Sequence, residues 1–556
     1  MSGPGPGPGP GPGPGPGPGP GSGLRPGPGP GSGLRPGPGP VAPPPVTGEP
    51  RRDPDGFYQA LANLELPCLI VETDQGVGAT NCTDLGGGRL LAVAAAVPPA
   101  RLGALSFLRD HGVRNAYMAG AMAGGIASAD LVIKLARAGL LGSFGAAGLL
   151  PDRIERVLVR FRDEIPGLPY ACNLIHSPSE EQLERAAVEL YLRYQVRCVE
   201  ASAYMDLTPH IVRYRAAGLE RTADGRIIAT NRIIAKVSRL EVAERFMRPA
   251  PASLIAALAT AGLISEDQAR LAAEVPMADD VTAEADSGGH TDRQSLSSLL
   301  PPLLGLRDAL SGGSIRVGAA GGIGTPHAVA AAVAMGADYV VTGSINQCCV
   351  EAGTSTAAKS MLAVAGIADC EMAPAADMFE LGVQLQVLRR GCFFPMRARQ
   401  LYELYMANQG IADFPAEVRQ RLEERTFRRS LDDVWQDTVE YFEKRDPSQI
   451  ERARGNPKRK MALIFRWYLG MSSRWATGGE PARTMDYQLW CGPAMGSFND
   501  WVRGSVLEPL ENRHVDVIAD HLMTGAAFMN RVAQLRVAGV QLPPQAGHYR
   551  LPRRVA

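Results

Sequence analysis

The chain has 556 residues and a formal net charge of zero, because 57 Lys and Arg balance 57 Asp and Glu. A protein whose main partner is nucleic acid usually carries a basic excess, so this balance argues against that class. No apolar run approaches the roughly 18 residues that cross a bilayer, and Gly and Pro fill the place of a signal peptide. The nine scattered Cys form no C-x-x-C pair, which argues against a zinc site and a disulfide framework. We therefore expect a cytoplasmic chain with no membrane segment and no metal.

The amino-terminal segment is almost entirely Gly and Pro. Residues 1–40 contain 17 Gly and 15 Pro, and the decapeptide GSGLRPGPGP occurs twice in tandem, at 21–30 and 31–40. The Gly-Pro alternation has a period of two, which excludes the period of three of collagen. Almost nothing apolar is available to form a core. The composition predicts a disordered tail and linker over 1–56, and a lead-in of unassigned structure follows over 57–112.

Regular structure is predicted from residue 113 onward. Short apolar runs alternate there with helical stretches, a pattern typical of parallel βα units. Eight such strands with helical crossovers predict an α/β fold, a (β/α)8 TIM barrel over 113–360, with a doubly wound sheet as the alternative that counting does not exclude. The predicted strands are 113–120, 139–145, 168–175, 196–202, 232–238, 281–286, 315–321 and 338–344.

Helix signals lie between these strands and beyond them. Capping patterns start helices at Ser177-Pro178-Ser179-Glu180, at Ser265 with Gln268 three residues later, and at Thr325-Pro326. Two longer insertions predict a helix with a turn over 203–231 and a helical pair over 248–280. Strand signals stop after residue 345, so we predict a helix-rich carboxyl-terminal region over 361–545 and a tail over 546–556.

Glycines cluster where the last two predicted strands end. Gly321 and Gly322 follow the seventh strand, and Gly343 and Ser344 follow the eighth. In β/α barrels these two loops often bind phosphate, because glycine lets backbone amides approach the anion and a helix dipole favours it. Tight turns without a ligand are the plain alternative. Two such loops at neighbouring barrel positions favour phosphate binding.

Three polar side chains lie at other predicted strand ends. His290 follows strand six and is a plausible proton donor near neutral pH, or a loop histidine bonded to a nearby Asp. Lys236 lies inside an apolar strand and suits a cofactor anion, a Schiff base or a buried ion pair. Asn173 ends strand three and suits the edge of a heterocycle or a backbone bridge. Ala121, Met122 and Ala123 follow strand one, where small neighbours leave room for a flat ring.

Seven segments together resemble one family, the trans-acting enoyl reductases of polyunsaturated fatty acid and polyketide synthases. This family belongs to the flavin barrel group that includes nitronate monooxygenases, and the resemblance covers roughly residues 60–545. The segments are AMAGGIAS (121–128), GSFGAAGL (142–149), CNLIHSP (172–178), EADSGGHTD (284–292), AAGGIGTP (319–326), TGSINQCCVEAGTS (342–355) and APAADMFELGVQLQVLRRGCFFPMRARQLYELY (373–405).

The resemblance implies an FMN-dependent barrel that uses NADPH. It implies that the flavin ring lies at the carboxyl ends of the strands, with Asn173 and Lys236 at its pyrimidine side, where a cation stabilises the reduced form. His290 matches the histidine that the group places beside the flavin as acid or base. The ring would lie against Ala121, Met122 and Ala123, and the ribityl-phosphate track would follow Gly288, Gly321, Gly322, Gly343 and Ser344.

The implied reaction is reduction of a trans-2-enoyl thioester carried by an acyl carrier protein of a polyketide or polyunsaturated fatty acid synthase. NADPH would supply the reducing equivalents and His290 the proton for the α-carbon. The alternatives are a nitronate monooxygenase-like flavin oxidase, a flavin-free Schiff-base barrel and a non-catalytic synthase scaffold. A homodimer is a further possibility.

A basic segment lies in the carboxyl-terminal region. Arg452, Arg454, Lys458, Arg459 and Lys460 lie within nine residues of a chain that carries no net charge. A solvated loop is the plain interpretation. The alternative is a docking surface for an acidic carrier protein, in which exposed charges would steer association.

Deleting residues 1–48 is expected to leave flavin content and melting temperature unchanged. A segment with this composition acts as a tether and adds nothing to a core. Thermal unfolding and released-flavin absorbance of the full-length and truncated proteins check this. A clear loss of thermal stability in the truncated protein would show instead that the segment packs on the fold.

Overall fold

The computed structural model describes residues 48–85, 87–176 and 181–554. The Gly/Pro segment 1–47 and the predicted helix start at 177–180 lie outside the described residues. The lead-in forms two helices and a small antiparallel sheet, in which the first strand lies between the second and the third, before the barrel begins. Its elements are α1 (Pro54–Ala62), β1 (Cys68–Thr73), β2 (Gly76–Thr80), β3 (Arg89–Ala94) and α2 (Leu105–His111).

Eight parallel strands close into a barrel of order β10-β11-β13-β14-β4-β5-β6-β7, so the predicted (β/α)8 barrel is confirmed. All eight predicted strands take part, and each is shorter than predicted. The elements are β4 (Tyr117–Ala119), α3 (Ala129–Arg137), β5 (Leu141–Phe144), α4 (Pro151–Glu164), β6 (Ala171–Ile175), α5 (Glu181–Arg193), β7 (Cys198–Ser202), α6 (Pro209–Ala216), β8 (Leu219–Arg221), β9 (Ile227–Ala229), β10 (Arg232–Val237), α7 (Leu240–Met247), α8 (Ala252–Thr260), α9 (Glu266–Ala272), β11 (Asp280–Glu284), β12 (Gly289–His290), α10 (Leu296–Ser311), β13 (Arg316–Ala320), α11 (Pro326–Ala334) and β14 (Val340–Thr342).

The predicted helix starts are confirmed where the structure describes them. Ser265 and Gln268 exchange side-chain and backbone hydrogen bonds as a capping box at the start of α9, and Thr325 accepts from the amide of Ala328 at the start of α11. The insertion over 203–231 contains α6 and the β8-β9 hairpin, and α8 with α9 is the predicted helical pair. No helix of the described residues is long and apolar enough to cross a bilayer.

The region after β14 contains two strands as well as helices, so the prediction that strands end at residue 345 is wrong. β15 and β16 form a hairpin, and β16 pairs with the two-residue strand β12 of the barrel. Both strands are short and are followed by strong helix formers, which hides them from pattern analysis. The elements are α12 (Thr356–Ala363), β15 (Cys370–Pro374), β16 (Gln384–Leu388), α13 (Phe394–Ala407), α14 (Ala416–Arg421), α15 (Leu431–Glu443), α16 (Ser448–Ala453), α17 (Pro457–Gly478), α18 (Ala494–Val502) and α19 (Val515–Val537).

The last long helix belongs to the barrel's outer layer. α19 packs against α11 and α3, which follow the seventh and first barrel strands, so it takes the position of the eighth barrel helix. The segment between β14 and α19 is therefore an insertion into the last βα unit. The buried guanidinium of Arg531 on α19 donates to backbone carbonyls of the lead-in, among them those of Leu61 and Asn63.

A buried ion cluster closes the amino-terminal end of the barrel. Asp280, fully buried at the start of β11, accepts from Nε of Arg316 at 2.5 Å and pairs with Nε2 of His111 at 2.8 Å. Arg316 also donates to Asp110 at 2.7 Å. Burial raises the pKa of Asp280, but the opposite charges and hydrogen bonds of His111 and Arg316 outweigh it and lower that pKa to about 2. An apolar layer that includes Ile234 lies between this cluster and the carboxyl-terminal end of the barrel.

Candidate active site

A layer of polar side chains lines the barrel interior at the carboxyl ends of the strands. Asn173 is paired in register with Glu200, and Glu200 with Ile234, whose side chain lies in the interior apolar layer. Ladder partners face the same side and side chains alternate along a strand, so Lys236 and Glu284 share this face. The predicted residues Asn173 and Lys236 therefore lie in one layer, together with two carboxylates.

Lys236 is held between these carboxylates. Its ammonium lies 3.1 Å from Oε1 of Glu284, and both side chains are about four-fifths buried. Burial lowers the pKa of Lys236, but the charges of Glu284 and Glu200 outweigh it and hold that pKa above its ordinary value. A permanently charged lysine is a poor Schiff-base amine, so the arrangement argues against the Schiff-base alternative.

Glu200 and Asn173 fix the neighbouring backbone. The buried carboxylate of Glu200 accepts from the amide of Ala121 at 2.7 Å. Asn173 donates from Nδ2 to the carbonyl of Glu200 and to Oγ of Ser202, each at 3.0 Å. The loop after the first barrel strand is thus tied to the polar layer by its first residue.

The Ala121–Ala123 loop rests on the loop after the second barrel strand. The amide of Gly124 donates to the carbonyl of Ala147. A Cβ on Gly145 would lie only 1.8 Å from the carbonyl oxygen of Met122, so this contact requires glycine. Met122 is nearly buried, whereas Ala121 and Ala123 are half-buried. The loop is a rigid, small-residue surface beside the polar layer.

The glycines predicted for phosphate binding fall into two groups. A Cβ on Gly322 or Gly343 would meet nothing within 4 Å, so both face open space. Within the described part of the chain, the amides of Gly322, Gly343 and Ser344 donate to no protein acceptor. Gly321, with φ of +83°, packs instead against the backbone of Ala285, where a Cβ would come within 2.5 Å. Gly322, Gly343 and Ser344 therefore offer free backbone amides to a ligand, whereas Gly321 allows two loops to pack closely.

Gly288 and Ser344 lie where a barrel loop meets the inserted segment. A Cβ on Gly288 would lie 2.8 Å from Oγ of Ser344 and 2.9 Å from the amide nitrogen of Cys491. Oγ of Ser344 accepts from the amide of Gly492 at 3.2 Å. The serine hydroxyl therefore faces the inserted segment, whereas its own amide remains free.

His290 lies at the rim, on strand β12. Its Nε2 is 3.2 Å from Oδ1 of Asp377, and its side chain is 42% exposed. Partial burial lowers the pKa of His290, but the hydrogen bond and charge of Asp377, with the charge of Glu284, outweigh it. The pKa therefore lies above its ordinary value although Lys236 opposes the shift, so the protonated ring is favoured more than in a free histidine.

Three side chains of the basic segment, those of Lys458, Arg459 and Lys460, are engaged with neighbouring elements of the fold. Nζ of Lys458 donates to the carbonyls of Tyr405 and Asn408, at the carboxyl end of α13. Arg459 pairs with Glu380, and Lys460 lies over the ring of Trp435. These side chains join α17 to its neighbours, so charge reversal at 458–460 would disturb the fold.

Three side chains of this candidate site are not predicted from the sequence. Glu200 was missed although it is a charged residue in an apolar strand, the same signal that identified Lys236. Glu284 lies in the segment EADSGGHTD (284–292), but its sequence context alone indicates no role. Asp377 had no signal, because it lies 87 positions from His290 and is brought there by the pairing of β12 with β16.

The chain is similar to known proteins over most of its length. Residues 112–392 match the family model described as nitronate monooxygenase. Residues 408–487 match the model described as the inserted helical domain of acyl-carrier-protein S-malonyltransferase. The solved enoyl reductase domain of MlnA, from the macrolactin biosynthesis cluster of Bacillus amyloliquefaciens, is 40% identical with a TM-score of 0.75. The match covers 79% of this chain and the full length of the MlnA domain.

Two curated proteins are also similar. A polyunsaturated fatty acid synthase protein of a Thraustochytrium species is 44% identical over 513 residues, which cover 89% of this chain and 34% of that protein. Polyketide biosynthesis protein PksE of Bacillus subtilis is 46% identical over 443 residues, which cover 79% of this chain and 57% of that protein. The chain thus spans between a third and three-fifths of these relatives.

These matches define an oxidoreductase barrel of the nitronate monooxygenase group. Within that group, the chain belongs to the enoyl reductase family of polyunsaturated fatty acid and polyketide synthases.

Proposed function

We propose that this protein is an FMN-dependent, NADPH-using enoyl reductase that acts in trans on enoyl thioesters bound to an acyl carrier protein. The observation that carries the proposal is the carboxyl-terminal end of the barrel, where the partly exposed His290 lies at the rim and the largely buried Lys236 is paired with Glu284. Similarity to an enoyl reductase domain and to synthase proteins supports the substrate class. The inserted segment's similarity to a malonyltransferase helical domain supports a place in a synthase.

The residues present fit FMN. The free amides of Gly322, Gly343 and Ser344 would hold the phosphate, aided by the start of α11. Lys236 would face the pyrimidine edge, and the Ala121–Ala123 loop would support the ring. When bound, the flavin would supply the hydride that NADPH delivers and that the β-carbon of the enoyl thioester accepts.

This chain's own residues would direct the proton and the charge. His290 would donate a proton to the α-carbon, since its ring is accessible at the rim and Asp377 and Glu284 favour its protonated form. Lys236 would keep a fixed positive charge at the site without exchanging its proton, because Glu200 and Glu284 hold it charged.

The decisive experiment is reduction of a defined panel of enoyl-carrier thioesters by FMN-reconstituted protein with NADPH. Turnover of these thioesters with no turnover of nitronates supports the proposal. Preference for nitronates would support the oxidase alternative instead, and a flavin-loaded protein that turns over neither substrate would be a scaffold.

Replacing Gly343 by Asp is expected to weaken FMN retention by about 100-fold. A carboxylate a few Å from the phosphate repels it by roughly 3 kcal/mol at an effective dielectric near 20. Equilibrium dialysis with quantification of released flavin measures the retention.

Gly343→Ala is the matched control, because a Cβ there meets open space and adds no charge. Loss of FMN in both variants would indicate a backbone effect rather than repulsion. Retention in both would place the phosphate elsewhere.

A further inference from the structure

The inserted segment builds the immediate surroundings of His290. β12 pairs antiparallel with β16, with Gly289 opposite Gln386 and His290 opposite Leu385. The side chain of Gln386 donates to Oδ1 of Asp286 and to the carbonyl of Ser287, each at 2.8 Å. The loop that carries the histidine is therefore fixed by a hairpin that belongs to the insertion and not to the barrel.

The same hairpin supplies a carboxylate to the ring. Asp377 lies in the turn between β15 and β16, and its Oδ1 is 3.2 Å from Nε2 of His290. In the described part of the chain, no hydrogen bond is made by Nδ1 of this ring. Because a carboxylate on one ring nitrogen fixes which nitrogen is left for chemistry, Nδ1 is the atom available to a substrate.

We propose that Asp377 is the positioning residue of His290, orienting the ring through Nε2 and keeping it protonated, so that Nδ1 donates the proton. This assignment rests on the proposed enoyl reductase function. It gives the insertion a direct part in the chemistry, because the carboxylate comes from its hairpin.

The other charged groups around the His290 ring determine in which direction its pKa moves when Asp377 is replaced. Glu284 on β11 adds negative charge, and Lys236 on β10 adds positive charge. Asp292, two positions further along the same loop, is already bonded to Ser238 and Arg239. Arg466 on α17 faces Asp377 and helps to keep it ionised. Removing the charge of Asp377 therefore takes away the strongest group that favours the protonated ring.

The test is the pKa of His290 in the full-length protein, read from NMR titration of labelled histidines. The variant His290→Gln identifies the signal. In Asp377→Asn the pKa is expected to fall by about one pH unit. Asp377→Glu, which keeps the charge, should recover part of the shift. Asp292→Asn is the matched control, since it removes a carboxylate of similar exposure that is engaged elsewhere, and it should leave the pKa nearly unchanged.

The second measurement is the pH profile of enoyl thioester reduction. If Nδ1 donates the proton, the high-pH limb in Asp377→Asn should move to lower pH by the same amount, and the rate should recover as the pH falls. Two results would overturn the proposal: an unchanged pKa of His290 in Asp377→Asn, or a pH profile in which the rate is lower at every pH but the high-pH limb stays at the same pH. Because the titration needs no substrate, a shifted pKa in a protein that reduces no enoyl thioester would refute the proposed function and leave the His290–Asp377 pairing intact.

Discussion

Replacing His290 by Ala is expected to slow reduction of the enoyl thioester by roughly 10²–10⁴-fold, the usual cost of losing a general acid. Reduction of the flavin by NADPH needs no proton from this ring, so that step should change little. The side chain is 42% exposed at the rim and is hydrogen-bonded to Asp377, so its removal should not leave a buried cavity. Rapid-mixing measurements of the two half-reactions, each in a single turnover, separate these effects.

His514→Ala is the control for this experiment. His514 is 40% exposed and is bonded to the carboxylate of Glu351 at 2.7 Å, so it matches His290 in exposure and in partner. It lies just before α19, in the outer layer of the barrel, and its loss should leave both half-reactions unchanged. Equal rates of thioester reduction in His290→Ala and the unaltered protein would show that the proton comes from another donor, such as solvent.

The barrel could be predicted because each of its parts leaves a local pattern. A buried parallel strand is visible as a short apolar run. The start of a helix between two strands is visible as a capping residue, as at Ser265 and Thr325. Polar residues at the ends of such strands meet at one end of a barrel, whatever the details of its packing. This is why Asn173, Lys236 and His290 could be selected from the sequence alone.

The insertion could not be predicted in the same way, because its effect depends on contacts between distant segments. β12 has only two residues and no pattern of its own, and it exists because β16 pairs with it. The role of α19 as the eighth barrel helix is equally hidden, since helical periodicity does not reveal which surface a helix covers. Lys458 and Arg459 illustrate the opposite error. Their run of charges suggests a docking surface, but both side chains bind neighbouring parts of the same chain.

The largest effect on stability is expected at the closed end of the barrel. Replacing Asp280 by Asn should lower the free energy of unfolding by about 3–5 kcal/mol, because it leaves the buried guanidinium of Arg316 without its main counter-charge. Chemical denaturation of the full-length protein measures this loss. Asp163→Asn is the control: that carboxylate is exposed and pairs with Arg162 on the surface, so the change should leave the free energy of unfolding nearly unchanged.

The pH dependence of this loss identifies its cause. The pKa of Asp280 is about 2 in the folded protein and about 4 in an unfolded chain. A lowered pKa contributes stability that is fully present above the unfolded value and disappears as the pH falls through the folded one. The gap in stability between the unaltered protein and Asp280→Asn should therefore narrow as the pH falls from about 4 to about 2. A gap that stays constant over that range would mean that the carboxylate contributes packing and neutral hydrogen bonds rather than charge, since those do not depend on its ionisation.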